Sequence, residues 1–408
     1  MSAAREISGC EVCGGKALTP VLDLGLHPMC DDLVPVGDGR RCKEYPISIL
    51  YCAACRTAHQ RWQVPKAELF PKSYHYRSRF TADVLKGMAG LADSCAARFG
   101  GLKDKLVVDV GCNDGSLLDF FRAQGARTAG IEPTGAAADA KAKGHAVYDD
   151  FLSEELAKKV SAEHGCADLI TFTNVFAHIE DLPAVLAAVR QLMKPSTVLV
   201  IENHYLGSVL DGNQFDTFYH EHPRTYSAGS FAAIARSLGV GVLGVEFPAR
   251  YGGNIRVFLG GAAGGALPAE LEAREAAFGA RFAQLAANVE RWKKSKAAEL
   301  AALVKVHGPL LAKAFPGRAA ILVKLLGLDE KTLAAVHEKP GSLKIGHYLP
   351  GTRIPIRSDD ELFARADKDA PLLNLAWHIP AEIRAYLKEH GWRGPVLDIL
   401  SAKDFAAP

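Results

Sequence analysis

The stretch from Leu106 to Glu132, LVVDVGCNDGSLLDFFRAQGARTAGIE, constrains the fold of this chain more than any other. The run LVVDV predicts a buried parallel strand, GCNDG a tight glycine turn, and SLLDFFRAQG a helix that ends at Gly125. RTAGIE then predicts a second strand. Because a strand, a crossover helix and another strand form a β-α-β unit, the central part of the chain is predicted to contain a parallel sheet covered by helices.

The same unit predicts a ligand site at the carboxyl end of its first strand, where glycines let the backbone approach a nucleotide. Glu132, which ends the second strand, is suited to the two hydroxyls of a ribose. The turn contains Gly111, Asn113 and Gly115 and lacks the G-x-G-x-x-G spacing of dinucleotide-binding folds. An NAD-dependent sugar oxidoreductase would share the fold but not this loop. The turn resembles the first motif of S-adenosylmethionine-dependent methyltransferases, whose wider turn accepts an amino-acid moiety.

Two later segments extend this interpretation. GHAVYDDF predicts a short strand, and Asp150 at its end is well placed to accept a hydrogen bond from an adenine amino group. ADLITFTNVFAHIED predicts a further strand and the loop after it, which would place Asn174 and His178 beside the methyl donor and the acceptor. A histidine in such a position is otherwise often a packing or capping group.

Four of the nine cysteines form two C-x-x-C pairs, Cys10 with Cys13 and Cys52 with Cys55. Two such pairs can direct four thiolates at one tetrahedral centre, which predicts a zinc site. Four thiolates leave no open coordination position, so the predicted role is structural, and the metal would contribute folding energy to a segment with little core. Two disulfides are the alternative, which a cytoplasmic setting disfavours. Three residues between the pairs could substitute as ligands: His27, Cys30 and Cys42.

Composition limits the remaining possibilities. A chain of 408 residues, 49% hydrophobic, can bury a full core and would ordinarily form two or three domains. The formal net charge of +2 offers no overall electrostatic argument for a nucleic acid or a membrane as partner. The sequence shows no positively charged start followed by an apolar run, and no uninterrupted apolar stretch long enough to span a bilayer. The expectation is a cytoplasmic, monomeric enzyme that binds neither nucleic acid nor membrane.

The motif FDTFYHEH completes a series that runs through most of the chain. Together with the cysteine pairs, VVDVGCNDG, NVFAHIED and GHYLPGTRIPI, it resembles the sugar C-methyltransferase family, which methylates a ring carbon of nucleotide-linked keto-deoxysugars. The resemblance implies S-adenosylmethionine and zinc as cofactors. It also implies an α/β protein of three domains: a zinc-binding domain at 1–67, a Rossmann-like class I methyltransferase domain at 68–258, and an α/β, Rossmann-like substrate-binding domain at 259–408.

The resemblance also assigns roles to individual residues. It places five side chains at the catalytic site: Tyr76, His178, Tyr219, Glu221 and His222. Tyr74 competes with Tyr76 for its role and is also a candidate to bind substrate, as is Asn203, while Lys344 and Arg353 could neutralise a diphosphate or be ordinary surface cations. The chain departs from the family at GRAAILVKLLGLDEK and RYGGNIR, and both departures concern the acceptor more than the reaction.

The run Tyr219-His220-Glu221-His222 suits the chemistry of carbon methylation. A carbon becomes nucleophilic once a proton next to a ketone is removed, so the site needs a base and a stabiliser of the enolate oxygen. His222 is the predicted base, with Glu221 as the alternative. Tyr219 or His178 could donate a hydrogen bond to the enolate oxygen.

Three questions about this run remain open. Strand alternation would separate the side chains of Glu221 and His222, whereas a turn at Pro223 would bring them together. A metal site made of His220, Glu221 and His222 is one rival interpretation, and a binding protein with a degenerate methyltransferase domain is another.

Overall fold

A computed structural model describes residues 4–69, 77–80, 82–249 and 252–406. The predicted site residues Tyr74 and Tyr76 lie outside the described residues. The chain forms two compact units, the first made of residues 1–19, 50–209 and 221–279 and the second of 20–49, 210–220 and 280–408. Within the described part of the chain, every helix is too short or too polar to cross a bilayer.

The strands are β1 Arg5–Glu6, β2 Thr19–Pro28, β3 Val34–Pro35, β4 Glu44–Cys52, β5 Thr57–Gln60, β6 Trp62–Gln63, β7 Leu106–Val110, β8 Arg127–Ile131, β9 Ala146–Tyr148, β10 Ala167–Thr173, β11 Met193–His204, β12 Arg224–Thr225, β13 Gly241–Glu246, β14 Asn254–Gly260, β15 Leu310–Lys313, β16 Leu333–Glu338, β17 His347–Tyr348, β18 Ile356–Ser358, β19 Leu372–Asn374 and β20 Val396–Asp398. The helices are α1 Lys66–Leu69, α2 Ala82–Phe99, α3 Ser116–Ala123, α4 Ala137–Ala142, α5 Glu154–His164, α6 Leu182–Leu192, α7 Leu206–Asp211, α8 Ala228–Leu238, α9 Ala269–Ala276, α10 Phe278–His307, α11 Ala319–Leu325, α12 Asp359–Phe363 and α13 Pro380–Glu389. Short 3₁₀ helices lie at Ser78–Phe80, Phe176–His178, Phe215–Thr217 and Ala402–Phe405.

A seven-stranded sheet in the order β13-β14-β11-β10-β7-β8-β9 forms the centre of the first unit. Strands β7 to β11 are parallel, while β14 is antiparallel to both β11 and β13. The predicted β-α-β unit is β7, α3 and β8, and it is confirmed. Because the carboxyl ends of the parallel strands lie along one edge of the sheet, the loops after β7, β8, β10 and β11 lie along that edge too.

Helices α2 and α3 cover the sheet because their apolar side chains recur at helical spacing. Leu91 of α2 and Leu117 and Phe121 of α3 are buried in one core cluster with Val107 of β7 and Phe258 of β14. Each large apolar side chain buried in this way contributes about 1.5 to 3 kcal/mol to folding. This packing fixes the amino end of α3, and with it the loop that connects β7 to α3.

The second unit contains a five-stranded sheet in the order β18-β16-β15-β19-β20, and all its neighbouring strands are parallel. Leu362, Leu372 and Trp392 belong to a core cluster of this unit. Trp292 of α10 is fully buried and donates from its indole nitrogen to the carbonyl oxygen of Ile399 at 3.1 Å. The α/β, Rossmann-like character predicted for the C-terminal part is confirmed.

Candidate active site and zinc centre

The loop between β7 and α3 is held in an unusual backbone conformation. Gly111, Asn113 and Gly115 have φ angles of 76°, 51° and 75°, in the left-handed region that favours glycine. A Cβ atom on Gly111 would lie 2.4 Å from the Val175 side chain, so a larger residue cannot replace it without displacing the loop after β10. The sequence prediction of a tight glycine turn at the carboxyl end of the first strand is confirmed.

Glu132 follows β8 and holds this loop. Its carboxylate accepts hydrogen bonds from the backbone N–H groups of Asn113 and Thr134, each at 2.9 Å. Each carboxylate oxygen can accept more than one hydrogen bond, so the buried carboxylate keeps capacity for a ligand hydroxyl. Asp150 is different, because its side chain is exposed and accepts from the N–H of Phe151 at 2.7 Å.

A buried acid lies beneath the loop in β7. Asp109 is buried, and Thr171 of β10 donates its hydroxyl to the Asp109 carboxylate at 2.6 Å. Burial raises the pKa of Asp109 from 3.8 to about 7, and the negative charge of Glu132 adds to the rise. The protonation of this carboxyl therefore changes near neutral pH, although the sequence analysis assigned it no role.

Asn174, after β10, belongs to a buried polar network at the same sheet edge. Its backbone N–H donates to the carbonyl oxygen of Glu202 at 2.8 Å. The amide nitrogen of Asn254 lies 3.3 Å from the Asn174 side-chain oxygen and 3.1 Å from the Glu202 carboxylate. Arg256 donates to the other Glu202 carboxylate oxygen at 2.7 Å. Sequence reasoning missed Glu202, Asn254 and Arg256. The available signal was that these polar residues lie near the ends of two strands, β11 and β14.

Asn203 presents a side chain that is ready for a ligand. It is 1% exposed, and among the described residues neither its amide oxygen nor its amide nitrogen has a hydrogen-bond partner. An unsatisfied buried polar group costs about 1 to 3 kcal/mol, so such an amide is expected to bind something in the working protein. This is consistent with the prediction that Asn203 binds substrate, which stays a prediction.

The histidines of two separate motifs lie side by side in the first unit. The Nδ1 atom of His178 lies 2.7 Å from the backbone carbonyl oxygen of Glu221. The ring centroids of His178 and His222 are 4.9 Å apart, and those of His222 and His204 are 6.3 Å apart. Sequence reasoning missed His204, although it ends β11 at the same sheet edge. His220 and Glu221 form a turn and Pro223 a bend, so the alternative of a strand with alternating side chains is wrong.

The contact with Glu221 determines the tautomer of His178. A carbonyl oxygen only accepts hydrogen bonds, so Nδ1 carries the proton of the neutral ring. Burial lowers the pKa of His178, which keeps the ring neutral at physiological pH. The backbone of Asn174 also hydrogen-bonds the His178 ring and, like the Glu221 carbonyl, opposes the effect of burial on the pKa.

His220 faces different surroundings in the second unit. It is buried, and its Nε2 atom donates to the carbonyl oxygen of Tyr45 at 3.1 Å. Burial lowers the pKa of His220 to about 4, so it is a neutral structural residue. Tyr219 is half-buried in the same unit, and its catalytic role stays a prediction. Nothing among the described side chains groups His220, Glu221 and His222 as metal ligands.

The second unit also holds a buried acid from the FDTFYHEH motif. Asp216 accepts hydrogen bonds from Arg318 at 2.9 Å and from the Trp377 indole at 2.8 Å. Burial raises the pKa of Asp216, while Arg318 opposes the rise. The predicted diphosphate-binding residues of this unit have backbone acceptors: Lys344 donates to Phe315 at 2.7 Å, and Arg353 bonds three carbonyl groups between residues 38 and 40.

The four predicted zinc ligands converge. The sulfur atoms of Cys10 and Cys55 are 3.4 Å apart, those of Cys13 and Cys52 are 3.6 Å apart, and all four lie within 4.8 Å of one another. Tetrahedral zinc with bonds of about 2.3 Å needs sulfurs about 3.8 Å apart, so the cluster fits the ion. All nine cysteines are free thiols, which argues against the disulfide alternative.

The substitute ligands proposed from the sequence lie elsewhere. His27 donates to the Leu24 carbonyl oxygen at 2.8 Å, and the Cys42 thiol donates to that of Asp32 at 3.2 Å. Instead, His59 lies close to the cluster, with its Nε2 atom 3.3 Å from the Cys10 sulfur.

A Rossmann-like sheet with an acid after its second strand, and with a left-handed glycine loop after its first that lacks G-x-G-x-x-G spacing, is typical of class I S-adenosylmethionine-dependent methyltransferases. Models of three protein families match the chain: a zinc binding domain at residues 10–70, a methyltransferase domain at 75–243 and a C-methyltransferase C-terminal domain at 249–397. The C-methyltransferase NovU of Streptomyces niveus is 30% identical over 390 residues, which cover 93% of this chain and 92% of that protein. The chain belongs to the C-methyltransferase family, with S-adenosylmethionine and zinc as its cofactors.

Other similarities are confined to part of the chain. The ubiquinone biosynthesis O-methyltransferase of Cronobacter sakazakii is 32% identical over 104 residues, 24% of this chain and 42% of that protein. The crystal structure of magnesium protoporphyrin IX methyltransferase from Synechocystis with bound SAH covers 44% of this chain and 84% of that chain, at 16% identity and a TM-score of 0.35.

Proposed function

We propose that the protein methylates a ring carbon next to the ketone of a nucleotide-linked keto-deoxysugar, with His222 as the base. The observation that carries the proposal is the contact between His222 and His178, whose tautomer is fixed by the Glu221 carbonyl. Two imidazoles of this kind suit the removal of a carbon-bound proton, whereas methylation of oxygen or nitrogen needs only an existing lone pair.

His222 takes the proton from the carbon next to the ketone, which leaves an enolate. His178 lies beside His222, with ring centroids 4.9 Å apart, and is placed to orient that imidazole. Tyr219 and His178 are the candidates to donate a hydrogen bond to the enolate oxygen. The Asn203 amide, which has no hydrogen-bond partner among the described residues, can hold a polar group of the sugar.

Glu132 and the loop of Gly111, Asn113 and Gly115 would hold S-adenosylmethionine through its ribose and amino-acid parts. When bound, this cofactor supplies an electrophilic methyl group on a sulfonium. Asn174 and its network lie at the same sheet edge as the cofactor loop and the histidines. Much of the rate is expected to come from holding the two reactants in line.

The test is to incubate the protein with S-adenosylmethionine and a panel of nucleotide-linked keto-sugars and their nucleotide-free counterparts. The expected result is a mass gain of one methylene group on a nucleotide-linked sugar, located on a ring carbon by NMR. Methylation of the nucleotide-free sugars alone would support the alternative of a different carbohydrate acceptor. Transfer to an oxygen atom of the sugar would contradict the proposed chemistry.

A further inference from the structure

Arg224 follows the YHEH motif by two residues and is buried completely. Its side chain is 0% exposed. Burying a guanidinium costs several kcal/mol unless its charge is paired and its donors are bonded, so the contacts of Arg224 specify where this segment lies. Arg224 pairs with Glu11, donates from Nε to the Tyr226 hydroxyl at 3.0 Å, and points Nη1 and Nη2 at the Glu180 carbonyl oxygen at 3.4 Å.

One end of this set of contacts belongs to the zinc centre. Glu11 lies between Cys10 and Cys13 in the first C-x-x-C pair, so the metal that fixes both cysteines also fixes Glu11. The backbone of the same two segments is also joined, because strands β12 and β5 are antiparallel neighbours with Arg224 opposite His59. The N–H of Gln60 also donates to the Pro223 carbonyl oxygen at 2.8 Å.

The other end holds the segment 176–180, which we call the His178 loop. The Tyr226 hydroxyl lies 3.5 Å from the Phe176 carbonyl oxygen, and Arg224 faces the Glu180 carbonyl oxygen. These two carbonyl groups belong to the residues two positions before and two positions after His178 in the chain. The contacts are long for hydrogen bonds. However, the Arg224 donor is charged, and the two contacts together hold both ends of the His178 loop.

We propose that Arg224 is a positioning residue that joins the first C-x-x-C pair, through Glu11, to the His178 loop. Glu11 fixes the guanidinium, and Arg224 with Tyr226 fixes the loop so that His178 meets the Glu221 carbonyl. The zinc centre then supports the catalytic histidines directly, in addition to stabilising its own domain. The inference rests on the proposed function to the extent that its effect on turnover is read as methyl transfer.

The first test compares Glu11→Gln with Arg5→Met. Glu11→Gln removes the carboxylate that pairs with both Arg224 and Arg5, whereas Arg5→Met removes only the ion pair of Arg5, which is 58% exposed. Glu11→Gln is expected to keep one zinc per chain and a KM for the sugar within about twofold, while kcat falls about ten- to a hundredfold, the scale of a misplaced catalytic group. Arg5→Met is expected to match the native protein in all three quantities.

A spectroscopic measurement needs no sugar substrate. In protein labelled with ¹⁵N-histidine, the native His178 ring is expected to show a protonated Nδ1 and an unprotonated Nε2, with the signal assigned by its loss in His178→Asn. In Glu11→Gln the two nitrogen shifts are expected to move toward the average of exchanging tautomers. Native shifts together with native kcat in Glu11→Gln would overturn the proposal.

Tyr226→Phe provides a second variant if Glu11→Gln fails to fold. It keeps the ring and removes only the hydroxyl that contacts Arg224 and the Phe176 carbonyl. The same change in the His178 shifts is expected, and unchanged shifts would contradict the proposal. If no keto-sugar is methylated, the proposed function fails, while the shifts of these variants still decide the role of Arg224.

Discussion

The Nδ1 atom of His178 lies 2.7 Å from the backbone carbonyl oxygen of Glu221, so a peptide group of the YHEH motif fixes the tautomer of the neighbouring histidine. The Glu221 carboxylate takes no part in that bond. A side chain at position 221 can therefore change without changing the tautomer, provided that the backbone stays in place.

The first prediction distinguishes the role of the Glu221 backbone carbonyl, which bonds His178, from the role of the Glu221 carboxylate. His178→Asn is expected to lower kcat about a hundredfold, because the imidazole beside His222 is lost. Glu221→Ala is expected to leave the ¹⁵N shifts of His178 native, whatever it does to turnover. The measurement is steady-state kinetics with ¹⁵N NMR of the same samples. A shifted His178 signal in Glu221→Ala would show that the carboxylate helps to set the tautomer.

The second prediction concerns the base. His222→Asn is expected to bind S-adenosylmethionine and sugar as the native protein does, while turnover falls about a hundredfold or more. In heavy water without the methyl donor, the native protein should exchange the acidic sugar proton, and the variant should not. Glu221→Gln is the matched comparison under the same conditions. Loss of exchange in Glu221→Gln alone would transfer the role of base to Glu221.

The third prediction concerns the methyl donor. Glu132→Ala is expected to weaken S-adenosylmethionine binding about ten- to a hundredfold in calorimetry, because the ribose loses an acceptor and Asn113 loses the carboxylate that holds its N–H. Asp150→Ala is expected to have a smaller effect, since the Asp150 side chain is exposed. Equal losses in the two variants would count against a special role for Glu132.

The fourth prediction concerns zinc. The purified protein is expected to contain about one zinc ion per chain, and the double variant Cys52→Ser, Cys55→Ser is expected to lose it. Removal of the ion should unfold the N-terminal segment, because metal binding by four thiolates that lie within 4.8 Å of one another would supply folding free energy to it. Cys42→Ser is the control, since its thiol lies outside the cluster. Full zinc content in the double variant would exclude the assignment.

Local patterns in the sequence predicted the glycine loop, the β-α-β unit and the zinc cluster, because each depends on residues close together in the chain or on fixed ligand spacing. The network of Glu202, Asn254 and Arg256 was not predictable in the same way. It depends on the antiparallel register of β11 and β14, which pairs Glu202 with Arg256 across a separation of 54 residues.

The contact of Asp216 with Trp377 was not predictable either, because it joins residues that are 161 positions apart in the chain. Within the YHEH motif, a period-two strand pattern and a turn were equally compatible with the letters, and tertiary packing selected the turn. The predicted domain boundaries after residues 67 and 258 stay a prediction.

The last prediction follows from Asp109, whose pKa burial raises from 3.8 to about 7. Since the folded-state pKa lies above the unfolded value, the folded protein binds more protons than the unfolded chain between these two pH values. Its stability therefore falls as the pH rises through this window: the contribution is complete below about pH 4 and lost above about pH 7.

A shift of this size corresponds to about 4 kcal/mol at most. Asp109→Asn cannot ionise, and its amide can still accept the Thr171 hydroxyl hydrogen bond. Urea unfolding between pH 4.5 and 8 is expected to show the variant gaining stability relative to the native protein as the pH rises, with most of the gain complete by pH 7. The control Asp149→Asn, at an exposed position, is expected to follow the native curve. A constant difference between Asp109→Asn and native protein across this range would show that Asp109 ionises at its ordinary pKa in the fold.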